Sequence, residues 1–433
     1  MKILKTVSFK TLGCRLNQFE TDALVTSFHN AGYQVVDYGK KADVTVINTC
    51  TVTNQSDQKS RNTINHAASL NREGLVVVTG CMADNYKEQL ESQEQITYVV
   101  DNDRKSRIVD LVDGHFSGEI LHPDKLKGDR FDFDTVQKSL HTRTSVKIQD
   151  GCDNFCTFCI IPSVRGRAVS RPLKEILDNV RRVVDNGFRE VVITGVNIGR
   201  YEHEGTSFEN VIEKVLELPG DFRVRISSLE PDGFSDRFHE LFSHPKLAPH
   251  LHLCLQSGSD PVLMKMRRMY SARQFMDIVE RFRNAIPDFN FSTDVIVGFP
   301  GETDEDFRKT LDFAREARFS HIHTFRYSRR TGTRAERMTN QVPGKVMAAR
   351  SEEIRKLSEA TRLEYMHSMK GKQQRVLIEK ADDQMMASGY GEHYLPVIFP
   401  VTDTTTNRFA DVVLKEVVAG EVPVMTAEPL RKG

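Results

Sequence analysis

The chain has 433 residues, 39% of them hydrophobic, and its 60 Lys and Arg balance 60 Asp and Glu. That apolar share supports a packed core and excludes a chain disordered throughout, and the length suggests about three domains. No run of about 18 apolar residues occurs, which excludes a membrane-spanning helix. The N-terminus MKILKTVSFKTLGC carries no secretory signal pattern. The expected compartment is therefore cytoplasmic and reducing, where seven cysteines read as ligands or catalysts rather than disulfides. Zero net charge argues weakly against a polyanionic partner, but it averages over local patches.

The first hundred residues alternate apolar runs with segments of helical length. Strands are expected at Val7–Leu12, Val44–Asn48, Leu75–Thr79 and Tyr98–Val100, with helices at Gln18–Ala31, Ser56–Leu70 and Asn85–Gln93. This alternation implies an α/β domain, residues 1–120, built on a doubly wound parallel sheet. The first three strands each run into a small or polar residue and then a cysteine: Gly13-Cys14, Thr49-Cys50 and Gly80-Cys81. Carboxyl ends of parallel strands share one edge, where ligands bind. The three thiols are thus expected together despite their separation in sequence. The competing reading is three unrelated core cysteines.

Residues 118–144 are polar and irregular and read as a linker. Strands are then expected at Ser145–Ile148, Glu190–Thr194, Arg223–Ser227, Leu251–Leu255, Phe289–Val297 and Phe319–Tyr327. About six strand–helix units over Ser145–Ser328, within a domain of residues 140–370, suit an open partial (βα)6 barrel with functional residues at strand C-termini. Arg326, Arg329, Arg330, Arg334, Arg337 and Lys345 face only Glu336 in a basic segment, and Val346–Lys370 favours a helix. Residues 371–433 turn to β-branched runs with glycine turns, read as a small β-barrel of about five strands.

The strongest local signal is Cys152-x3-Cys156-x2-Cys159, directly after the first barrel strand. Three thiolates on one short loop converge on a soft-metal site. Structural zinc takes four protein ligands, and no His or Cys follows at finger-like spacing. A 4Fe–4S cluster with one open iron suits three ligands; zinc is the competing occupant. Cys254 alternates with His252 in a strand and reads as a core residue.

This spacing resembles that of the radical S-adenosylmethionine (radical SAM) enzymes. Gly151-Cys152, Cys159-Ile-Ile-Pro162, Val164-Arg-Gly166, Ser170-Arg-Pro172, Thr194-Gly-Val-Asn197, Arg225-Ile-Ser-Ser-Leu-Glu-Pro231, Leu255-Gln-Ser-Gly-Ser-Asp260, Asp294-Val-Ile-Val-Gly-Phe-Pro-Gly-Glu302 and Tyr327-Ser-x-Arg-x-Gly-Thr333 narrow it to the methylthiotransferases. The resemblance covers the whole chain and implies an N-terminal methylthiotransferase domain, a radical SAM domain and a C-terminal TRAM β-barrel. It implies that Cys152, Cys156 and Cys159 hold a cluster that binds S-adenosylmethionine and generates a 5′-deoxyadenosyl radical. It implies that Cys14, Cys50 and Cys81 hold a second 4Fe–4S cluster carrying the sulfur to be inserted, and that two S-adenosylmethionine molecules are used per turnover. An electron donor such as flavodoxin or ferredoxin and a sulfur donor are implied partners.

The same resemblance assigns smaller roles. Phe158 would shield the cluster and meet the adenine. Gly195 and Asn197 would approach the methionyl group. Ser228 and Gln256 would bond its ribose or carboxylate; the competing reading is loop packing for Phe158 and a plain turn for Gly195 and Asn197. Arg165 and Arg171 read either as contacts to substrate or cofactor or as surface ion pairs.

Family members act on tRNA adenosines or on a ribosomal protein aspartate. Thr11-Leu-Gly-Cys-Arg-Leu-Asn-Gln18 and Val146-Lys-Ile-Gln-Asp-Gly-Cys152 look most like the branch acting on threonylcarbamoyladenosine at tRNA position 37. The isopentenyladenosine and ribosomal-protein branches are the alternatives. Arg326, Arg329, Arg330 and Arg334 are apt for phosphates of a tRNA anticodon stem-loop. Residues 371–433 hold seven Lys and Arg against nine Asp and Glu, so RNA contact there would use aromatics such as Tyr390 and Tyr394.

Overall fold

The computed structural model describes residues 4–137 and 142–430. The N-terminal tripeptide, positions 138–141 of the expected linker and the last three residues of the expected barrel lie outside the described residues. The described chain forms two compact units. The first comprises residues 4–137, 142–186, 194–196 and 328–336; the second comprises 187–193, 197–327 and 337–430.

The first unit opens with β1 (Thr6–Thr11), α1 (Arg15–Asn30), β2 (Gln34–Val36), β3 (Val44–Thr49), α2 (Asn54–Leu70), β4 (Leu75–Gly80), α3 (Cys81–Asn85), α4 (Lys87–Glu91), β5 (Tyr98–Val100) and α5 (Ile108–Ser117). The five strands are parallel in the order β2-β1-β3-β4-β5. β3 and β4 are buried along their whole length. Val44, Val46, Leu75 and Val77 pack with Leu24, Phe28 and Leu111 on one face. Ile47, Val76 and Val78 pack with Ile64 and Met82 on the other. Two covered faces explain why these strands are rich in Val and Ile and do not alternate apolar with exposed polar residues.

The expected helix over Asn85–Gln93 is two shorter helices broken at Tyr86, and the sequence reading had neither β2 nor α5. The described part of the linker is docked, not free. Leu121 and Leu126 pack on the core, the Phe133 ring meets Phe19 at 5.8 Å, and Ser27 Oγ donates to Asp134 at 2.8 Å.

The first unit continues through β6 (Thr144–Lys147), β7 (Gln149–Asp150), α6 (Ile161–Val164), β8 (Val169–Ser170) and α7 (Leu173–Asp185). The next elements are β9 (Glu190–Thr194), β10 (Glu202–His203), β11 (Thr206–Ser207), α8 (Phe208–Leu216), β12 (Arg223–Ile226), β13 (Ser228–Leu229), β14 (His250–Leu253), α9 (Asp260–Met266), α10 (Ala272–Ala285), β15 (Asn290–Val297), α11 (Asp304–Ala317), β16 (His321–Arg326) and α12 (Gly344–Ser368). This order is that of the partial (βα)6 barrel. In the second unit β9 pairs with β12, and β13-β14-β15-β16 form a parallel sheet. Aromatics fill the core beside it, with the Phe282 and Phe289 rings at 4.8 Å.

The last strands, β17 (Gln373–Ala381), β18 (Met386–Tyr390), β19 (Pro396–Pro400), β20 (Phe409–Val418) and β21 (Val424–Pro429), close into a barrel. Its core takes in Met366 and Met369 from the end of α12. Arg223 and Arg225 of β12 share buried Glu190 and donate to barrel carbonyls of Arg375, Tyr390, Gly391 and Glu392. Tyr394 stacks on His250 at 4.8 Å and on Tyr390 at 4.9 Å, beside the Arg225 guanidinium. This corrects the reading of Tyr390 and Tyr394 as open base platforms. Both are half-buried; Tyr394 is already stacked on two rings, and Tyr390 is stacked on Tyr394.

Gly80 holds the turn from β4 into Cys81 at φ +94°, where an added Cβ would lie 2.4 Å from the Thr49 carbonyl oxygen. Gly80→Ala combines backbone strain with overpacking at a buried edge, and should cost at least about 2 kcal/mol. Urea unfolding of the variant against the parent chain measures it; a change below about 0.5 kcal/mol would contradict the turn described.

Candidate metal centre

The strand order of the first sheet reverses between β1 and β3, and ligands of doubly wound sheets bind outside the carboxyl ends at that point. Cys14 follows β1 as the N-cap of α1. Cys50 follows β3, its backbone held by Ser60 of α2, whose Oγ donates to the Cys50 carbonyl at 2.9 Å. Cys81 opens α3 directly after β4. A Cβ on Gly13 would lie 2.9 Å from Cys50 Sγ, so the chain before Cys14 runs against that thiol. Burial pushes the Cys50 thiol up, and Cys14 pushes it further. Burial pushes Cys81 up to about 11; Cys14 and Cys50 add to this, while Arg165 and Lys105 oppose it. The three cysteines directly follow neighbouring parallel strands at one edge of the sheet, the placement expected from the sequence.

Cys152, Cys156 and Cys159 lie half-buried on the irregular loop between β7 and α6. Cys159 N donates to the Cys156 carbonyl at 3.0 Å, and Asn154 N approaches Cys152 Sγ at 3.5 Å. Phe158 sits half-buried on the same loop. Both cysteine sets belong to the first unit, and Cys81 packs directly against Ile160 and Val164, just beyond Cys159.

Beneath them lies a buried charge network that sequence reasoning missed. The Glu20 carboxylate accepts from Arg165 at 2.9 Å, from Lys147 at 3.1 Å, and from Lys105. Asp150 pairs with Lys147 at 2.5 Å and Arg165 at 3.1 Å. Arg165 also donates to Asn17 Oδ1 at 2.8 Å, and Asn17 Nδ2 donates to the carbonyls of Leu12 and Thr49. Burial raises the Glu20 carboxyl, but Arg165, Lys105 and Lys147 outweigh it and hold the group well below its usual range. The reading of Arg165 as a surface ion pair is thereby corrected: burial leaves it no access to water. The signal available in the sequence was the charge at Lys147 and Asp150 inside an otherwise strand-like word.

Three cationic groups against two carboxylates leave one positive charge in this network. Three thiolates on a [4Fe–4S]2+ core carry one net negative charge, so the donor set and its surroundings fit such a cluster. The thiol-only chemistry of each set suits it as well.

Arg330 belongs to the first unit and is 3% exposed. It pairs with Asp57 at 2.6 Å and donates to Thr51 Oγ1 at 2.7 Å, next to Cys50. Five residues on, Ala335 N donates to the Thr157 carbonyl in the second cysteine loop at 2.8 Å. This corrects Arg330 as a phosphate contact: its charge is spent inside the protein. Arg326, Arg329 and Arg334 are exposed. Arg171 is buried and pairs with Glu175 at 3.2 Å. Gly195 lies in the first unit, where Gln149 Oε1 accepts from Val196 N at 3.1 Å. Asn197, Ser228 and Gln256 lie in the second unit: Asn197 buried, Ser228 exposed, and Gln256 buried at φ +66°.

Residues 146–314 match the radical SAM superfamily, and residues 6–101 match a family described as uncharacterized protein family UPF0004. The chain is 38% identical to the threonylcarbamoyladenosine tRNA methylthiotransferase MtaB of Chlamydia pneumoniae, covering 92% of each chain. It is 36% identical to the MtaB of Bacillus subtilis, covering 94% of this chain and 93% of that one. The chain belongs to the radical SAM methylthiotransferase family. It is 30% identical to a tRNA-2-methylthio-N(6)-dimethylallyladenosine synthase of Thermodesulfovibrio yellowstonii, covering 89% and 90%. Among solved structures, the radical S-adenosylmethionine methyltransferase TsrM of Kitasatospora setae aligns with TM-score 0.56 at 14% identity, covering 89% of this chain and 77% of that one. That likeness is one of fold. The chain is thus a radical SAM enzyme, and its cofactors are S-adenosylmethionine and 4Fe–4S iron–sulfur chemistry.

Glu20→Gln removes the negative charge shared by three buried cations, and such a break costs about 3–5 kcal/mol. Because the folded Glu20 carboxyl lies below its ordinary value near 4.5, its stabilising contribution is full above that pH and is lost as pH falls through the folded value. The parent chain should therefore lose stability on acidification below pH 4.5, and Glu20→Gln should show a smaller loss from a lower starting point. Urea midpoints between pH 7 and pH 3 test this; parallel curves would remove Glu20 from the account.

Proposed function

We propose that the chain is a tRNA methylthiotransferase acting on carbon 2 of N6-threonylcarbamoyladenosine at position 37. The observation that carries this reading is the pair of three-cysteine sets within one unit, Cys81 packed on the segment beyond Cys159, in a chain 35–38% identical to enzymes named for that substrate. Its proposed division is a methylthiotransferase domain (1–120), a radical SAM domain (140–370) and a TRAM domain (371–433). The proposed setting is the cytoplasm, with an electron donor and a sulfur donor as partners; no described helix is long and apolar enough to cross a membrane.

Cys152, Cys156 and Cys159 would hold one 4Fe–4S cluster, and Cys14, Cys50 and Cys81 a second. When bound, the first supplies the electron that cleaves the sulfonium of S-adenosylmethionine. The chain's own part is positioning. Arg165 and Lys105 present positive charge to Cys81 and favour its thiolate. Arg330 clamps the Cys50 turn through Thr51 and Asp57. Ile160 and Val164 cover Cys81 and keep water from it. Phe158, Gly195, Asn197, Ser228 and Gln256 are the proposed contacts to S-adenosylmethionine, and exposed Arg326, Arg329 and Arg334 those to RNA phosphates.

Mass spectrometry of tRNA nucleosides from a deletion strain should show loss of the methylthio form of threonylcarbamoyladenosine. If that form persisted and the isopentenyl product vanished, the substrate assignment would fall to the sister branch. Cys156→Ala should abolish reductive cleavage of S-adenosylmethionine. Cys50→Ala should spare cleavage but stop sulfur insertion, and full methylthio product from it would refute the two-cluster arrangement. Iron analysis of the anaerobic protein should give about eight irons per chain. Arg329→Ala and Arg334→Ala should each lower the salt slope of tRNA binding by about one; Arg330→Ala should lower stability and leave that slope unchanged.

A further inference from the structure

In the second unit, β14, β15 and β16 lie side by side in parallel register, with His252 opposite Ser292, Ser292 opposite His321, and Asp294 opposite His323. Side chains two apart on a strand share a face. One face of this sheet therefore carries His252, Ser292, Asp294, His321 and His323, with Cys254 two residues beyond His252. The alternate positions Leu251, Leu253, Phe291 and Val295 are buried and apolar. A sheet face that served only as core would carry the same residue types on both sides.

The donors converge. One ligand atom each from His252, Cys254 and Asp294 lies within 4.8 Å of the others. Ser292 Oγ meets His252 Nδ1 at 3.0 Å, fixing the ring so that Nε2 faces Asp294 Oδ1 at 3.2 Å. That separation is one a proton or a metal ion bridges. The His323 ring stands 5.4 Å from His252.

We propose that His252, Cys254 and Asp294 bind one divalent transition-metal cation of the zinc class, at a site separate from all six cysteines of the metal centre above. Imidazole, thiolate and carboxylate are the ligands zinc selects, and three of them leave a fourth position open for water or a substrate atom. The thiolate and carboxylate neutralise the two positive charges. Binding displaces the Cys254 thiol proton to solvent. Ser292 acts behind the ligands by orienting the imidazole.

The test uses the full chain with its iron–sulfur clusters loaded, exposed to Zn2+ and then gel-filtered under anaerobic conditions. Elemental analysis should find about one zinc per chain, and zinc X-ray absorption should find one sulfur at about 2.3 Å with nitrogen and oxygen at about 2.0 Å. Cys254→Ser and Asp294→Asn should lose the zinc while keeping iron content and melting midpoint. Ser292→Ala should weaken zinc binding by about 10–100-fold. Zinc at background in the parent chain, or a sulfur-rich zinc shell that survives Cys254→Ser, would overturn the proposal. Should either ligand variant fail to fold, the one-sulfur shell of the parent chain decides alone.

Discussion

The buried carboxylate of Glu20 is the point on which the first unit depends. An ion taken out of water costs several kcal/mol unless it is closely paired. Here one acceptor answers to Arg165, Lys147 and Lys105, which come from three separate segments, and Asp150 completes the set. A shift of any one segment would strand a charge in the interior. The network therefore locks the residues before Cys14 and Cys50, through Asn17, to the loop after Cys159, through Arg165. The turns that carry these thiols are thereby held by buried charge pairs as well as by packing.

The basic segment after β16 extends the same logic. Its arginines divide by burial. Arg330 turns inward to Asp57, and the chain then passes the second cysteine loop at Thr157. Arg329 and Arg334 point to solvent. A single run of positive charge thus divides: one guanidinium replaces water around the turn that presents Cys50, and its neighbours stay exposed. Nη1 serves Asp57 and Asn54 while Nη2 serves Thr51, a fork of donors that a lysine does not have.

The second unit handles polarity differently. Its sheet has an apolar face and a face of histidine, cysteine and carboxylate, and its small barrel is held by Arg223, Arg225 and Glu190. Here Tyr394 and Tyr390 act as packing, filling the space between His250 and Arg225. Aromatic and cationic residues that would look like an RNA surface in a linear reading are instead the means by which a mildly acidic barrel is attached.

Much was legible in the sequence because it depends on short-range pattern. The short β-branched runs VTVIN and LVVVT, alternating with helical lengths, read as parallel strands, which puts the cysteines after them on one edge. The C-x3-C-x2-C spacing made the second set legible, since thiols no more than seven residues apart need no distant partner to converge. What the tertiary structure alone decided was the fate of charge. Nothing local distinguishes Arg330 from Arg329, or marks Glu20 as the acceptor of cations 85, 127 and 145 residues away. Nor does the strand pattern reveal that Cys254 meets Asp294. Apolar burial repeats along the chain with the period of its helices and strands, but the pairing of buried polar groups depends on which segments the fold brings into contact.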